Sequence, residues 1–199
     1  MLYLFSEQIG VDAAALGFPS VETCLAVVLQ TDQVLAGWHS FNTSGTVTAA
    51  NAAKFGTFLA ANAPGTWLRL YGATNREGHG KNWKSEMRDI ANAIGFTGTV
   101  IGLDMGVVGE GVHVEFHRNG NARCEIYHKR NSKMIYTQTK TPLAAIPHRR
   151  ITNSAATDQP LYTSDGSPSI FTNATIDPAT SKKGKFHHSS WMGLQSFTV

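Results

Sequence analysis

Cys24 and His39 are the pair whose residue types and spacing suit nucleophilic chemistry. A thiol with pKa near 8.5 is only about 3% thiolate at neutral pH, whereas a neighbouring imidazolium lowers that pKa to roughly 3.5–7.5. A drop of about 2.5 units favours the charged sulfur by ~3.4 kcal/mol. The same imidazole can return the proton to a leaving group, which gives a nucleophile and an acid–base partner in one pair. The ordinary reading of a free cysteine is a small buried hydrophobe. Which applies depends on where the surrounding strands put the two side chains.

Thr23 to Leu29 and Val34 to His39 are apolar, β-branched or small runs, each long enough for one strand. Gln30-Thr31-Asp32-Gln33 between them reads as a four-residue hairpin loop, because Thr31 resists the positive φ of a tighter turn. Pairing Leu29 with Val34 sets Val28 against Leu35, Val27 against Ala36, Leu25 against Trp38 and Cys24 against His39. Opposite residues of an antiparallel pair share a face with Cα atoms roughly 4.5–5.5 Å apart. Cys24 and His39 are therefore expected side by side.

Composition bounds the rest. A 199-residue chain with 42% apolar and 16% charged residues reads as one globular domain with a sufficient core. The net charge of +3, without a clustered patch, does not point to nucleic acid. A non-catalytic module docking the basic turns Lys129–Lys133, His148–Arg150 and Lys182–Lys185 on nucleic acid or an acidic protein is the alternative function. A cysteine peptidase or amidase is another, using the same dyad. Two cysteines form no disulfide framework, so a reducing compartment is expected. No apolar run approaches the ~20 residues of a membrane helix. Met1 to Phe5 lacks the basic flank and length of a secretory signal. The expectation is a soluble protein, cytoplasmic or delivered into a host cytosol without a cleaved signal.

Along the chain, a strand is expected at Leu2–Phe5, then an Ala-rich helical turn around Asp12–Leu16 closed by Gly17 and Pro19. A helix capped by Thr46 or Thr48 runs to about Ala61, and Trp67–Tyr71 alternates as a strand. The glycine-bearing loop Gly72–Gly80 follows, but without a Gly-Lys-Ser/Thr or dinucleotide fingerprint, so no nucleotide cofactor is expected. Asn82 caps a helix with Trp83, Met87, Ile90 and Ile94 on its apolar stripe, ended by Gly95. Thr99–Leu103 is the next strand. Val112–His117 and Arg123–His128 form a hairpin around Asn119–Asn121, aligning Phe116 with Cys124 and Val114 with Ile126, with Cys124 in the core. His113, Glu115 and His117 share the other face. Residues i and i+4 of a strand lie about 13 Å apart, too far for one zinc, so that face reads as polar and solvent-facing. His187 and His188 diverge if extended, and no metal is expected. Met134–Tyr136 reads as a strand. From about Thr152 the composition turns to Ser, Thr, Asn, Asp and Pro, read as cover for the core or a partly mobile segment. Trp191, Met192, Leu194 and Phe197 dock the C-terminus. The division expected is a core over 1–150 and an extension over 151–199.

The order of these elements resembles the chemoreceptor glutamine deamidases of the CheD family, structural relatives of the catalytic domains of cytotoxic necrotizing factor toxins. Thr23-Cys24-Leu25-Ala26-Val27 resembles the nucleophile strand, and Ala36-Gly37-Trp38-His39 the strand carrying its histidine. Leu70-Tyr71-Gly72-Ala73, Gly78-His79-Gly80-Lys81-Asn82, Leu103-Asp104-Met105-Gly106 and the Asn119-Gly120 hairpin continue the likeness over roughly residues 20–128. The resemblance implies an α+β fold, a layered β-sandwich of mixed sheets with peripheral helices in a single domain. It also implies a cysteine enzyme acting on the side-chain amide of a protein glutamine. Cys24 would attack the amide, His39 would activate it and protonate departing ammonia, and water, or an amine in transglutamination, would resolve the thioester. Backbone N–H groups near Cys24 would hold the oxyanion. No cofactor or metal is implied, and the partner is a protein carrying a reactive glutamine. The family's nucleophile usually follows Gly-Ser or Ser-Gly, where this chain has Glu22-Thr23. Several members orient the histidine with a Thr six residues before the Cys, where this chain has Phe18. That leaves Ser20, Thr23 or a backbone carbonyl to orient His39. The added length and altered nucleophile motif favour a bacterial effector or toxin over chemoreceptor modification.

Overall fold

The first forty residues form five strands: β1 (Leu2–Tyr3), β2 (Gln8–Asp12), β3 (Ala15–Val21), β4 (Leu25–Thr31) and β5 (Leu35–Ser40). The helical turn expected at Asp12–Leu16 is instead the corner between β2 and β3. The Asp12 carboxylate accepts the N–H groups of Ala14 (2.8 Å) and Ala15 (3.0 Å), reversing the chain there. Alanine's helix preference is outweighed because β3 gains a parallel partner in β1 and an antiparallel one in β8 (Val112–His117).

The remaining elements of this computed structural model are α1 (Ala49–Asn62), β6 (Trp67–Thr74), α2 (Trp83–Ile94), β7 (Thr99–Asp104), β9 (Glu125–Arg130), β10 (Met134–Thr139), β11 (His148–Arg150), β12 (Ile170–Ile176), β13 (His187–His188) and β14 (Leu194–Thr198). The residues described are 1–40, 49–75, 83–105, 111–130, 134–139, 148–150, 170–176, 187–188 and 194–199. The caps Thr46, Thr48 and Asn82, most of the glycine-bearing loop, and Trp191 and Met192 lie outside them, as do Lys182–Lys185. Two seven-stranded sheets result, ordered β10-β12-β1-β3-β8-β9-β13 and β11-β2-β5-β4-β6-β7-β14. Each is mixed, with β1 and β3 parallel in the first and β6 and β7 parallel in the second. The fold is thus an α+β sandwich in a single domain. The segment expected as an extension supplies β12 to the first sheet, between β10 and β1, and β14 to the edge of the second.

Strand parity separates two apolar layers. Leu4, Leu16 and Phe18 meet Ala26, Val28 and Leu35 between the sheets. On the other face of the second sheet, Leu29, Trp38 and Leu70 pack against Phe55, Met87 and Ile90 of the helices. The expected stripe of α2 is buried along its length, at Trp83, Met87, Ile90 and Ile94. Gly95, at φ 73°, closes that helix as the spacing predicts: its N–H reaches the Asn92 carbonyl while that of Phe96 reaches Ala91.

The β8–β9 hairpin departs from its expected register. Phe116 pairs with Ile126, not Cys124, and His117 with Glu125. The second sheet holds the intervening turn open. The Gln30 amide donates to the carbonyls of Gly120 (3.1 Å) and Ala122 (2.7 Å), and Arg69 donates to that of Asn121 (2.7 Å). The Tyr71 hydroxyl donates to Gln30 Oε1 and accepts the Cys124 N–H, so no polar group of this knot is wasted. Cys124 is buried in the inter-sheet layer as expected, and burial pushes its thiol up to about 12. The face carrying His113, Glu115 and His117 corrects the solvent-facing expectation: His113 and Glu115 are buried and the two rings hold the carboxylate.

One close approach is testable. A Cβ on Gly102 of β7 would stand 2.0 Å from Cζ3 of Trp83, the residue that seats α2. Gly102→Ala is expected to cost about 1–3 kcal/mol through overpacking, read as a lower urea midpoint at constant m-value. An unchanged midpoint would show that the helix can lift without loss.

Candidate active site

Cys24 lies where the chain crosses between sheets. β3 belongs to the first sheet and β4 to the second. The register of β3 breaks between Phe18 and Val21, and Ser20 there takes φ 55°, a left-handed conformation at an exposed position. The chain then bends through Glu22–Cys24 before β4 begins at Leu25. The Thr74 hydroxyl donates to the Cys24 carbonyl at 3.3 Å, fixing the corner to β6.

The β4–β5 ladder is offset by two residues from the expected one. Ala26, not Cys24, stands opposite His39, and Leu29 stands opposite Ala36. The turn is shorter because Thr31 stays in the strand: its N–H donates to the Val34 carbonyl, and its Oγ1 accepts the N–H groups of Gln33 and Val34. Cys24 therefore precedes His39's partner by two positions. On a regular ladder such diagonal neighbours share a face at about 7–8 Å rather than in direct opposition. Cys24 itself lies outside that ladder, in the bend before Leu25, so the expected side-by-side pairing with His39 is not made.

His39 is 1% exposed and Cys24 5%. The imidazole Nδ1–H donates to the Leu4 carbonyl at 2.8 Å, and Phe18 meets the ring edge-on with centroids 5.8 Å apart. Nε2 is buried without a hydrogen-bond partner. Ser20 and Thr23 thus do not orient the ring; of the candidates named for that role, it is a backbone carbonyl that does. The reason is positional, since β1 runs beside β3 and brings Leu4 to the ring, while Ser20 faces solvent on the bulge. A carbonyl has no side-chain signature, so Leu4 was not individually legible. Thr74 falls in the first part of the expected glycine-bearing loop, where β6 instead continues as strand from Gly72 to Thr74.

Burial drives the His39 pKa down to about 4, with the Leu4 bond opposing that shift. At neutral pH the ring is therefore uncharged and carries its proton on Nδ1. This corrects the expected imidazolium: the resting site has no positive ring to ionise the thiol, and no thiol–Nε2 hydrogen bond is formed. What the ring does offer is a lone pair on Nε2, a base held in one tautomer by its partner on the other nitrogen. Neither cysteine is in a disulfide. Among the described residues no group of three His, Cys, Asp or Glu is placed to hold a metal ion, and no helix is long and apolar enough to cross a membrane. No protein-family model matches the chain, and no curated protein matches it.

The buried ring makes stability acid-sensitive. The folded pKa of His39, about 4, lies below the ordinary 6.5, so protons bind the unfolded chain more readily. The stability contribution is complete above about pH 6.5 and is lost as pH falls toward 4, about 3 kcal/mol in all. Glu115, lowered to about 2 from 4.5, gives its own loss only below about pH 4.5. Urea unfolding is expected to lose about 2 kcal/mol between pH 7 and pH 5, with most of that loss absent in His39→Gln. The same loss in that variant would place the acid sensitivity elsewhere.

Proposed function

We propose that the protein is a cysteine-dependent glutamine deamidase, acting on a protein side chain with Cys24 as nucleophile and His39 as base. The observation that carries the reading is the state of His39: a neutral imidazole held by the Leu4 carbonyl at Nδ1, its Nε2 unpaired, opposite Ala26, which follows Cys24 by two residues. The resemblance to the CheD and necrotizing-factor deamidases, carried by the order of the motifs, and the mixed-sheet sandwich support it further.

The neutral ring defines the chemistry. Nε2 takes the thiol proton as Sγ attacks the glutamine amide carbon, so thiolate and imidazolium form together during attack instead of existing beforehand. The proton then passes to the amide nitrogen, ammonia leaves and a thioester remains. Water attacks the thioester with Nε2 as base, and Sγ departs to leave glutamate. A primary amine in place of water would give transglutamination. The Leu4 carbonyl matters twice: it fixes the tautomer that leaves Nε2 bare, and it stabilises the imidazolium at the moment it forms. Catalytic hydrogen bonds are often incomplete in resting enzymes and tighten on substrate binding, which suits a ring whose Nε2 has no partner at rest. A protein substrate, rather than a metabolite, fits a bacterial effector acting in a host cell.

Incubation with glutamine-bearing target proteins is expected to release ammonia and to add about one dalton per converted glutamine. Cys24→Ala should abolish this, and His39→Asn should slow it by about 10²–10⁴-fold. Ammonia release that persists in Cys24→Ala would overturn the mechanism.

A further inference from the structure

We propose that Tyr3 and Glu115 are positioning residues for His39, acting from the far face of the first sheet through β1. The inference deepens the deamidase reading and rests on it for its kinetic consequence, though the coupling to the ring can be seen without catalysis.

β1 is a short strand, and its next residue does the work at the site. The Leu4 N–H donates to the Gly17 carbonyl at 2.8 Å, and the Leu4 carbonyl accepts the proton of His39 Nδ1 at 2.8 Å. Any rocking of β1 moves that carbonyl against a ring that has no other hydrogen bond. Tyr3, the preceding residue, sits on the opposite face of the sheet. The cross-strand row there runs Tyr3, Gly17, Glu115, Tyr127. Gly17 lets the Tyr3 ring lie flat on the backbone, since a Cβ would stand 2.3 Å from Tyr3 Cδ1. Across that gap the Tyr3 hydroxyl donates to Glu115 Oε1 at 3.2 Å.

Glu115 is built as a fixed anchor. His113 Nε2–H donates to Oε1 and His117 Nε2–H to Oε2, each at 2.8 Å. The two imidazoles hold the carboxyl well below the usual range, at about 2, against the cost of burial. Tyr3 and His113 also meet ring to ring at 5.6 Å. Tyr127, next in the row, donates its hydroxyl to Glu125 (2.7 Å), so removing that hydroxyl leaves the Tyr3–Glu115 bond in place and serves as an internal control. An anion clamped on one face of the sheet thus holds β1, and β1 presents the carbonyl that sets the tautomer of the base on the other face.

The test uses the full chain labelled with ¹⁵N-histidine, the His39 ring signals being assigned by their absence in His39→Gln. Wild type is expected to show Nδ1 protonated and Nε2 bare. Tyr3→Phe, which keeps the ring on Gly17 and removes only the hydroxyl, should draw the two nitrogen shifts toward each other as the tautomers exchange. Glu115→Gln should do the same, and Tyr3→Phe carries the test alone should that variant fail to fold. Tyr127→Phe should leave the His39 signals in place. In ammonia-release assays Tyr3→Phe should lower kcat about tenfold with KM unchanged. Ring shifts unmoved by Tyr3→Phe, or moved equally by Tyr127→Phe, would overturn the proposal. Ring shifts that move as expected in a protein with no Cys24-dependent ammonia release would uphold the positioning role and defeat the deamidase reading instead.

Discussion

A histidine enclosed between two apolar sheet faces needs a hydrogen bond, and the carbonyl of Leu4 supplies it. Much of the site follows from that bond. It places the proton on Nδ1, so the ring enters neutral and with a bare Nε2. It keeps an imidazole among Leu4, Leu16 and Phe18 without a charged partner, in a layer where an ion would cost several kcal/mol. It also ties the histidine of the second sheet to a strand of the first, so the geometry of the base depends on how the two sheets are docked.

That docking is secured at both ends of the sandwich by polar bonds. At one end Gln30 and Tyr71 of the second sheet grip the turn between β8 and β9, and Arg118 donates to the Asp32 carbonyl. Near the other, the chain passes from β3 to β4 over the Phe18–Val21 irregularity and delivers Cys24 to the corner that Thr74 anchors. The cysteines diverge for the same reason. Cys124 sits in the inter-sheet layer with its backbone bonded to Tyr71, and its elevated pKa makes it a packing group. Cys24 lies beside the layer, at a bend, two residues before the partner of His39.

The sequence made much of this visible because periodicity survives small register errors. The Cys24 and His39 strands pair as neighbours, and both hairpins keep their expected inward faces, since each slipped by an even count of residues. What slipped was set by side chains that bind turns: Thr31 capping one, and Gln30 with Tyr71 holding the other, long-range bonds that no local pattern announces. The Ala-rich corner at Asp12–Leu16 looked helical because propensity is local, while its strand partners lie elsewhere in the chain. The polar face of β8 looked solvated because alternation distinguishes two faces without saying what covers either. The Ser/Thr-rich tail concealed β12 because a strand flanked on both sides in a sheet can rest on backbone bonds as well as side chains. The orienting group of His39 was legible only as a class, since every residue owns a carbonyl.

The central claim is that Nε2 of a neutral His39 serves a glutamine amide carried on Cys24. A crystal structure of the protein alkylated with chloroacetamide, whose adduct leaves a primary amide on the sulfur, tests it most directly. The account predicts the adduct on Cys24, with Nε2 within about 3 Å of the captured amide and Nδ1 still on the Leu4 carbonyl. An adduct on Cys24 with the ring turned from the amide, or a protein whose Cys24 resists the reagent while folded, would contradict it.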